Sequence, residues 1–360
     1  MSALEELQKK YKLRWEHLQA AHQDSLKQQH RFRYLLEDEK TSSNDISVVI
    51  FGSLARKEWT AQSDLDWSLL LDGPVDPRHT ARANRLARLL AEHELKQPGP
   101  TALFGKLTIS QNLVHEIGGQ DDTNRNLTQR ILLLLESQAV DRDEAHRRVI
   151  EAVLHRYLTN DPHVHQPRYI HLKVPRFLLN DVVRYWRTMC VDYASKYQNR
   201  STDGWAVRHL KLRFSRKLIF TAGLLLCFSC DARLYPDVQK RYRDLFSDEV
   251  ADQVPVMELV QHLRNRCQLE PLESLAEACL HFAKPPTLKK LFNAYNDFLG
   301  LLRDDRMREH LSNITPEAAD TDAIFQSTRN LGRQFHEGLV QFFFHDQKRL
   351  GELTMHYGIF

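Results

Sequence analysis

Two aspartates spaced one residue apart, Asp64 and Asp66, lead into the apolar run Trp67-Ser68-Leu69-Leu70-Leu71. On an extended strand successive side chains alternate, so the two carboxylates share one face while Leu65, Trp67 and Leu69 turn to the other. At roughly 3.3 Å per residue the acids stand about 7 Å apart along the strand. Like charges so placed repel each other and resist burial. Coordination of Mg²⁺ (or Mn²⁺) resolves the conflict, because hard cations take oxygen ligands. A pair of such ions can clamp the attacking and leaving oxygens of a phosphoryl or nucleotidyl transfer. A solvent-edge strand kept soluble by its acids is the plainer alternative. Trp67 to Leu70 are too apolar for so exposed a strand.

The elements that position these acids follow from the flanking pattern. Ile46 to Phe51 is a short β-branched strand and Gly52-Ser53 its turn. Glycine lets the backbone approach a phosphate, and the helix start that follows offers amide donors with a favourable dipole. A strand is expected from Asp64 to Leu71, an amphipathic helix over residues 76–96, and a third strand over Gly105–Gly119 running into a turn. Residues 126–140 read as helix. Upstream, one helix is expected from Ser2 to about Asp38, opened by a Ser2–Glu5 capping box. From about Glu144 the strand signals fade into helical periodicity. The expected architecture is α+β: a small mixed-sheet core with an N-terminal helix over residues 1–143, then an all-helical domain over 144–360.

The stretch "FGSLARKEWTAQSDLDWSLL" resembles the signature of the polymerase-β-type nucleotidyltransferase superfamily. Gly52 and Ser53 match the pair that contacts the triphosphate in that superfamily, and Asp64 and Asp66 match its metal ligands. Arg56 lies within the same pattern and is assigned to substrate binding. Downstream, "LVHEIGGQDDTNRNLTQRILLLLES" is weakly similar to the nucleotidyltransferase domain of protein-PII uridylyltransferases. Many members of the superfamily supply a third carboxylate from the last strand, where it positions or deprotonates the attacking hydroxyl. Gly105 to Gln111 contains no acid. Glu116, which matches the glutamate before the glycine, is the catalytic candidate, with Asp121 and Asp122 behind it.

The whole chain of 360 residues carries a net charge of +3, yet residues 168–217 hold 12 basic residues against three acids. An anion meets that local excess and not the average. Lys211 and Arg216 are the candidates for substrate phosphates, against the plainer reading of a solvated basic face. The five cysteines are too few and unevenly spaced for a disulfide framework, which fits a cytoplasmic protein. No membrane span or secretory signal is expected. Cys227-x-x-Cys230, inside an apolar run, reads as core packing, and His163, His165 and His171 as a polar loop.

The resemblance implies a nucleoside triphosphate donor, Mg²⁺, and transfer of a nucleotidyl group to a hydroxyl acceptor with release of pyrophosphate. The acceptor classes are a protein side chain, a tRNA 3′ end or a second nucleotide, the last including oligonucleotide signals of antiphage defence. A non-catalytic nucleotide-sensing module is the alternative of a different class. The base and the oligomeric state are not fixed by the sequence.

Overall fold

The computed structural model describes residues 1–37, 43–99, 103–162, 164–165, 174–199, 204–231, 233–234 and 256–358. Two compact units divide the chain: Ala21–His165 with Val254–Glu270, and Met1–Ala20 with Gln166–Gln253 and Pro271–Phe360. A single cut at 143/144 does not reproduce them.

The N-terminal segment is two helices, not one. Helix α1 (Ala3–Tyr11) has the expected capping box, with Ser2 Oγ accepting from the Glu5 amide and the Glu5 carboxylate from the Ser2 amide. It ends where Lys12 takes φ 52°, and α2 (Glu16–Leu35) begins after Trp15. Trp15 accounts for the break. Its ring stacks on Phe292 at 4.9 Å and its Nε1 donates to Asn293 Oδ1 at 2.9 Å. Tertiary burial outweighs local helix propensity there.

The sheet unit continues with β1 (Ile46–Ile50), α3 (Gly52–Ala55), β2 (Trp67–Leu71), α4 (Pro77–Glu92), β3 (Lys106–Ile109), α5 (Ser110–Val114), α6 (Asn124–Leu135), β4 (Gln138–Ala139) and α7 (Glu144–Thr159). The strand order is β3-β2-β1-β4. β1 runs antiparallel to β2 and β4, and β3 parallel to β2, so the sheet is mixed. Three boundaries differ from the sequence reading. β2 starts at Trp67, leaving Asp64 and Asp66 on the extended approach to it. The third strand ends at Ile109 and turns into α5 instead of running on to Gly119. Helix α6 stops at Leu135, and Gln138-Ala139 pairs with β1.

Alternation divides the sheet into two faces. Ile46, Val48 and Ile50 of β1 with Trp67, Leu69 and Leu71 of β2 pack against Phe32 and Leu36 and against Ala83, Leu86 and Leu90 of α4. Leu107 and Ile109 of β3 join that core. Leu65 belongs to the same cluster, as its parity with Trp67 requires. The opposite face carries Ser47, Ser68 and Thr108. There the His146 amide of α7 donates to Ser47 Oγ at 3.2 Å. All residues of β1 and β2 are buried, so neither strand is a solvated edge.

The other unit is helical: α8 (Arg176–Asn199), α9 (Trp205–Lys211), a π-helical turn (Leu212–Arg216) and α10 (Lys217–Phe228) come first. Helix α11 (Val256–Cys267) belongs to the sheet unit, where Arg264 Nη1 meets Glu151 Oε1 of α7. Helices α12 (Pro271–Phe282), α13 (Pro285–Arg303), α14 (Asp305–Asn313), α15 (Ala323–Gln341) and α16 (Lys348–Leu353) return to the helical unit. Phe214 stacks on Phe298 at 4.4 Å and on Phe335 at 5.2 Å in its core. Cys227 and Cys230 are both buried. Among the described residues no helix is long and apolar enough to cross a membrane. Of the histidine segment, His163 and His171 lie outside the described residues, and the ring of His165 meets Thr159 O at 3.1 Å.

Candidate active site

The antiparallel pairing of β1 and β2 runs one step past the strands, with the Phe51 amide donating to Asp66 O at 2.9 Å. That bond ties the Gly52-Ser53 turn to the aspartate pair. Gly52 has φ +66°, a region glycine enters at little cost, and a Cβ there would stand 2.7 Å from Asp66 Oδ2. Glycine is therefore required twice, by backbone conformation and by the approach of a carboxylate. Helix α3 is a single turn of four residues, so its contribution to anion binding is local amides and not a macrodipole. The Ser53 carbonyl accepts from the Glu58 amide at 2.8 Å.

Behind the turn, Gln29 of α2 donates from Nε2 to Leu54 O and to Gln138 Oε1, each at 3.0 Å. Arg56 is held between two buried acids. Its Nε and Nη2 reach Glu58 Oε2 at 2.9 Å, and its Nη1 meets Glu136 Oε2 at the end of α6. These contacts clamp α3 to α6 and occupy the guanidinium expected to bind substrate.

Asp64 is half-exposed, and its Oδ1, itself buried, accepts no hydrogen bond of good geometry. Lys96 Nζ approaches that oxygen to 2.7 Å from a side chain that is 64% exposed. The lysine is placed by its backbone, since the Leu65 amide donates to Lys96 O at 2.8 Å. Part of the counter-charge that the sequence left to metal therefore comes from Lys96. The donor set still fits a hard divalent cation: carboxylates on one face, one buried oxygen without a hydrogen bond, and a glycine cradle against Asp66.

Glu116 lies on the loop between α5 and α6, where its carboxylate accepts from Asn126 Nδ2. Among the described residues no three of His, Cys, Asp and Glu come together as a metal-holding group, so Glu116 does not complete one with Asp64 and Asp66. The pairing register explains the missing third acid. Ser68 pairs with Lys106 and Leu70 with Thr108, and these β3 residues share the face of Asp66. Asp122 is buried in a two-bond contact to fully buried Arg130, at 3.2 and 2.9 Å, and Arg130 Nε reaches Tyr157 Oη at 2.7 Å. Asp121 gives its backbone oxygen to the Thr123 amide at 2.8 Å.

Lys211 and Arg216 belong to the helical unit. The π-helical turn between α9 and α10 adds a residue to the repeat, which changes the face expected from 3.6-residue periodicity. Ser215 is buried, Lys211 is half-buried, and Arg216 Nη1 lies 3.4 Å from Met189 Sδ.

Residues 32–104 match the family model of the nucleotidyltransferase domain. This segment is a nucleotidyltransferase domain. The match runs from α2 to the residues before β3 and contains Gly52, Ser53, Arg56, Asp64 and Asp66. The match is consistent with the polymerase-β-type superfamily and supports nucleotidyltransferase activity, for which such a domain implies a nucleoside triphosphate substrate. No curated protein and no solved structure matches the chain significantly. Sequence reasoning missed Gln29, Glu58, Glu136 and Lys96. Arg56-x-Glu58 is a local signal, whereas Gln29, Lys96 and Glu136 act across long separations that no motif encodes.

Proposed function

We propose that this chain is an Mg²⁺-dependent nucleotidyltransferase whose Asp64 and Asp66 hold the metal and whose Gly52-Ser53 turn holds the triphosphate. The supporting observation is the Gly52 cradle, where the turn approaches Asp66 so closely that a Cβ would stand 2.7 Å from its carboxylate. Metal bound there supplies Lewis-acid stabilisation of the charge that builds on the reacting phosphates. Asp64 and Asp66 fix the site on the rigid approach to β2, and Ser53 and the turn amides orient the phosphates. Arg56, gripped by Glu58 and Glu136, is a positioning residue that keeps the turn in place. The acceptor oxygen bonds to the α-phosphorus as the bond to the bridging oxygen breaks. Pyrophosphate leaves with the electron pair, and the hydroxyl proton passes to a base, for which Glu116, whose carboxylate accepts from Asn126 Nδ2, is the candidate.

The acceptor is a hydroxyl of a protein, of a tRNA 3′ end or of a second nucleotide, the last making an oligonucleotide signal of the antiphage kind. Lys211 and Arg216 are proposed to meet substrate phosphates, on the basic excess of residues 168–217. Lys211→Ala then raises KM for the triphosphate with little effect on folding. Incubation with each α-labelled NTP, with and without total tRNA, identifies donor and acceptor together. Label transfer with pyrophosphate release, lost in Asp64→Asn, supports the reading. Metal-dependent binding with no transfer to any acceptor supports the second reading, a nucleotide sensor, which the absence of an acid on β3 favours.

A further inference from the structure

The face of the sheet that carries Asp66 continues onto β3, and the first residue it meets there is a lysine. Ser68 of β2 pairs with Lys106, and Leu70 with Thr108. Leu107 and Ile109 pack into the opposite core, so Lys106 and Thr108 share the face of Asp66 and Ser68. Lys106 stands one strand spacing, about 4.8 Å, to the side of β2 and about 7 Å along from the level of Asp66, at roughly 3.3 Å per residue. A lysine side chain is long enough to span that gap. The start of β3 is fixed, because the Gly105 amide donates to Trp67 O at 2.7 Å.

The two lysines near the aspartates are placed differently. Lys96 pairs with Asp64 at 2.7 Å from an exposed side chain. Lys106 is half-buried, and among the described residues it makes no hydrogen bond or ion pair. A half-buried cation on the face of a divalent metal site is repelled by the ion and gains only from an anion. The cavity deeper on this face takes none of the size of a nucleotide. It is lined by Ser68, Thr108, Phe51 and Phe104 among others and holds about 10 Å³, the room of a single water. Thr108 Oγ1, buried there without a hydrogen-bond partner, suits that water. The anion therefore belongs to a ligand at the Asp66 end.

Strand order decides which ligand. The Gly52-Ser53 turn follows β1, and β3 lies on the other side of β2. With the triphosphate over the turn, pyrophosphate leaves on the β1 side, and an in-line attack on the α-phosphorus comes from the β3 side. Lys106 stands on the side of the incoming acceptor.

We propose that Lys106 binds a phosphate carried by the acceptor, so that the attacking hydroxyl belongs to a free nucleotide or to an RNA end and not to a protein side chain. This rests on the reading of Gly52-Ser53 and Asp64–Asp66 as the donor site. Lys106 exchanges no proton and forms no bond in the transfer; it holds the acceptor.

The test is binding to the full chain after its donor site is filled with Mn²⁺ and a non-hydrolysable nucleoside triphosphate analogue. The acceptor probes are the nucleoside 5′-monophosphates, each compared with its nucleoside, and a single-stranded RNA oligonucleotide. Wild type is expected to bind one of the two probes, and a monophosphate that binds does so at least tenfold more tightly than its nucleoside. Lys106→Gln weakens the bound probe at least tenfold, the size of a lost charge-assisted hydrogen bond, while Lys106→Arg stays within about threefold. Lys289→Gln, at an exposed lysine of the helical unit, keeps wild-type affinity. All three variants bind the analogue itself within about twofold of wild type, which a merely structural role for Lys106 would not allow. Monophosphate binding alone assigns a free nucleotide. RNA binding assigns an RNA end, with a salt slope shallower by about 0.7 in Lys106→Gln. Should Lys106→Gln fail to fold by circular dichroism, Lys106→Met is read instead, and the monophosphate–nucleoside contrast needs no variant. Binding of neither probe, equal affinity for monophosphate and nucleoside, or wild-type affinity in folded Lys106→Gln would overturn the proposal. So would a matching loss of the analogue, which places Lys106 on the donor. An analogue that fails to bind wild type with Mn²⁺ overturns the donor site itself, and this inference with it.

Discussion

Asp122 and Asp64 lie in the same compact unit, yet their surroundings are opposed. Asp122 is buried against fully buried Arg130, receives two of its hydrogen bonds, and is backed by Tyr157 through the same guanidinium. Asp64 is half-exposed, with one buried oxygen that accepts no hydrogen bond and an exposed lysine as its neighbour. A buried pair is costly to break, since one partner alone leaves an uncompensated charge out of water. An open carboxylate beside a glycine cradle contributes little to folding and is available for a ligand. Position on the sheet therefore does not decide whether an acid is structural; the number of donors aimed at it does.

The largest consequence falls on the closed pair. Asp122→Ala is expected to lower unfolding free energy by about 3–5 kcal/mol, the range for removing one partner of a buried ion pair. Asp64→Asn should move it by less than about 1 kcal/mol in either direction, because it touches only an exposed contact. Urea melts of the two variants measure the contrast directly. Equal losses would erase the distinction.

Acid sensitivity sharpens the same point. Burial pushes the His146 imidazole down to about 4 from an ordinary 6.5. The unfolded chain takes up the proton first as pH falls, so the stabilisation is complete above about 6.5 and is lost toward pH 4. That window is worth no more than about 3 kcal/mol, at 1.36 kcal/mol per unit. His146→Gln should flatten the acid limb of stability between pH 6.5 and 4, read from urea midpoints across that range. An unchanged limb would place the acid lability elsewhere.

The turn itself comes next. Gly52→Ala must either strain a φ of +66° or push against Asp66 Oδ2. About 1–2 kcal/mol of stability is expected to go, the cost of a left-handed L-residue. Turnover should fall on the order of a hundredfold, the effect of about 1 Å of misplacement. A variant with normal kinetics would show that the turn and Asp66 are not one site.

How much of this was legible in the sequence depended on the range of each interaction. Gly52-Ser53 and the Asp64–Asp66 alternation are local, and strand parity correctly placed Leu65, Trp67 and Leu69 on one core face. The start of β2 was not legible, because residues 64–66 are extended yet lack full ladder pairing. Arg56 read as a substrate ligand, whereas its partner Glu136 lies 80 positions away. The long N-terminal helix failed at Trp15 for the same reason, since Phe292 and Asn293 set the break. The π-helical turn at Leu212–Arg216 shifts a face that regular periodicity would have continued.

The smallest effect separates the open carboxylate from its neighbour. Lys96→Met removes the ammonium 2.7 Å from Asp64 Oδ1. With one fewer competing cation, Mn²⁺ should bind about two- to fivefold more tightly in the absence of nucleotide, as an exposed pair worth up to about 1 kcal/mol implies. Calorimetric titration of Mn²⁺ reads it, and weaker binding would mean that Lys96 supports the site instead of competing for it.

The most direct test is the affinity of a non-hydrolysable nucleoside triphosphate analogue, measured with Mn²⁺ and with chelator, on wild type, Asp64→Asn and Asp66→Asn. Wild type should bind at least tenfold more tightly with metal, and each variant should lose that gain while melting like the wild type. Metal-independent binding, or a gain that survives both substitutions, would contradict the assignment of Asp64 and Asp66 as the metal–triphosphate site.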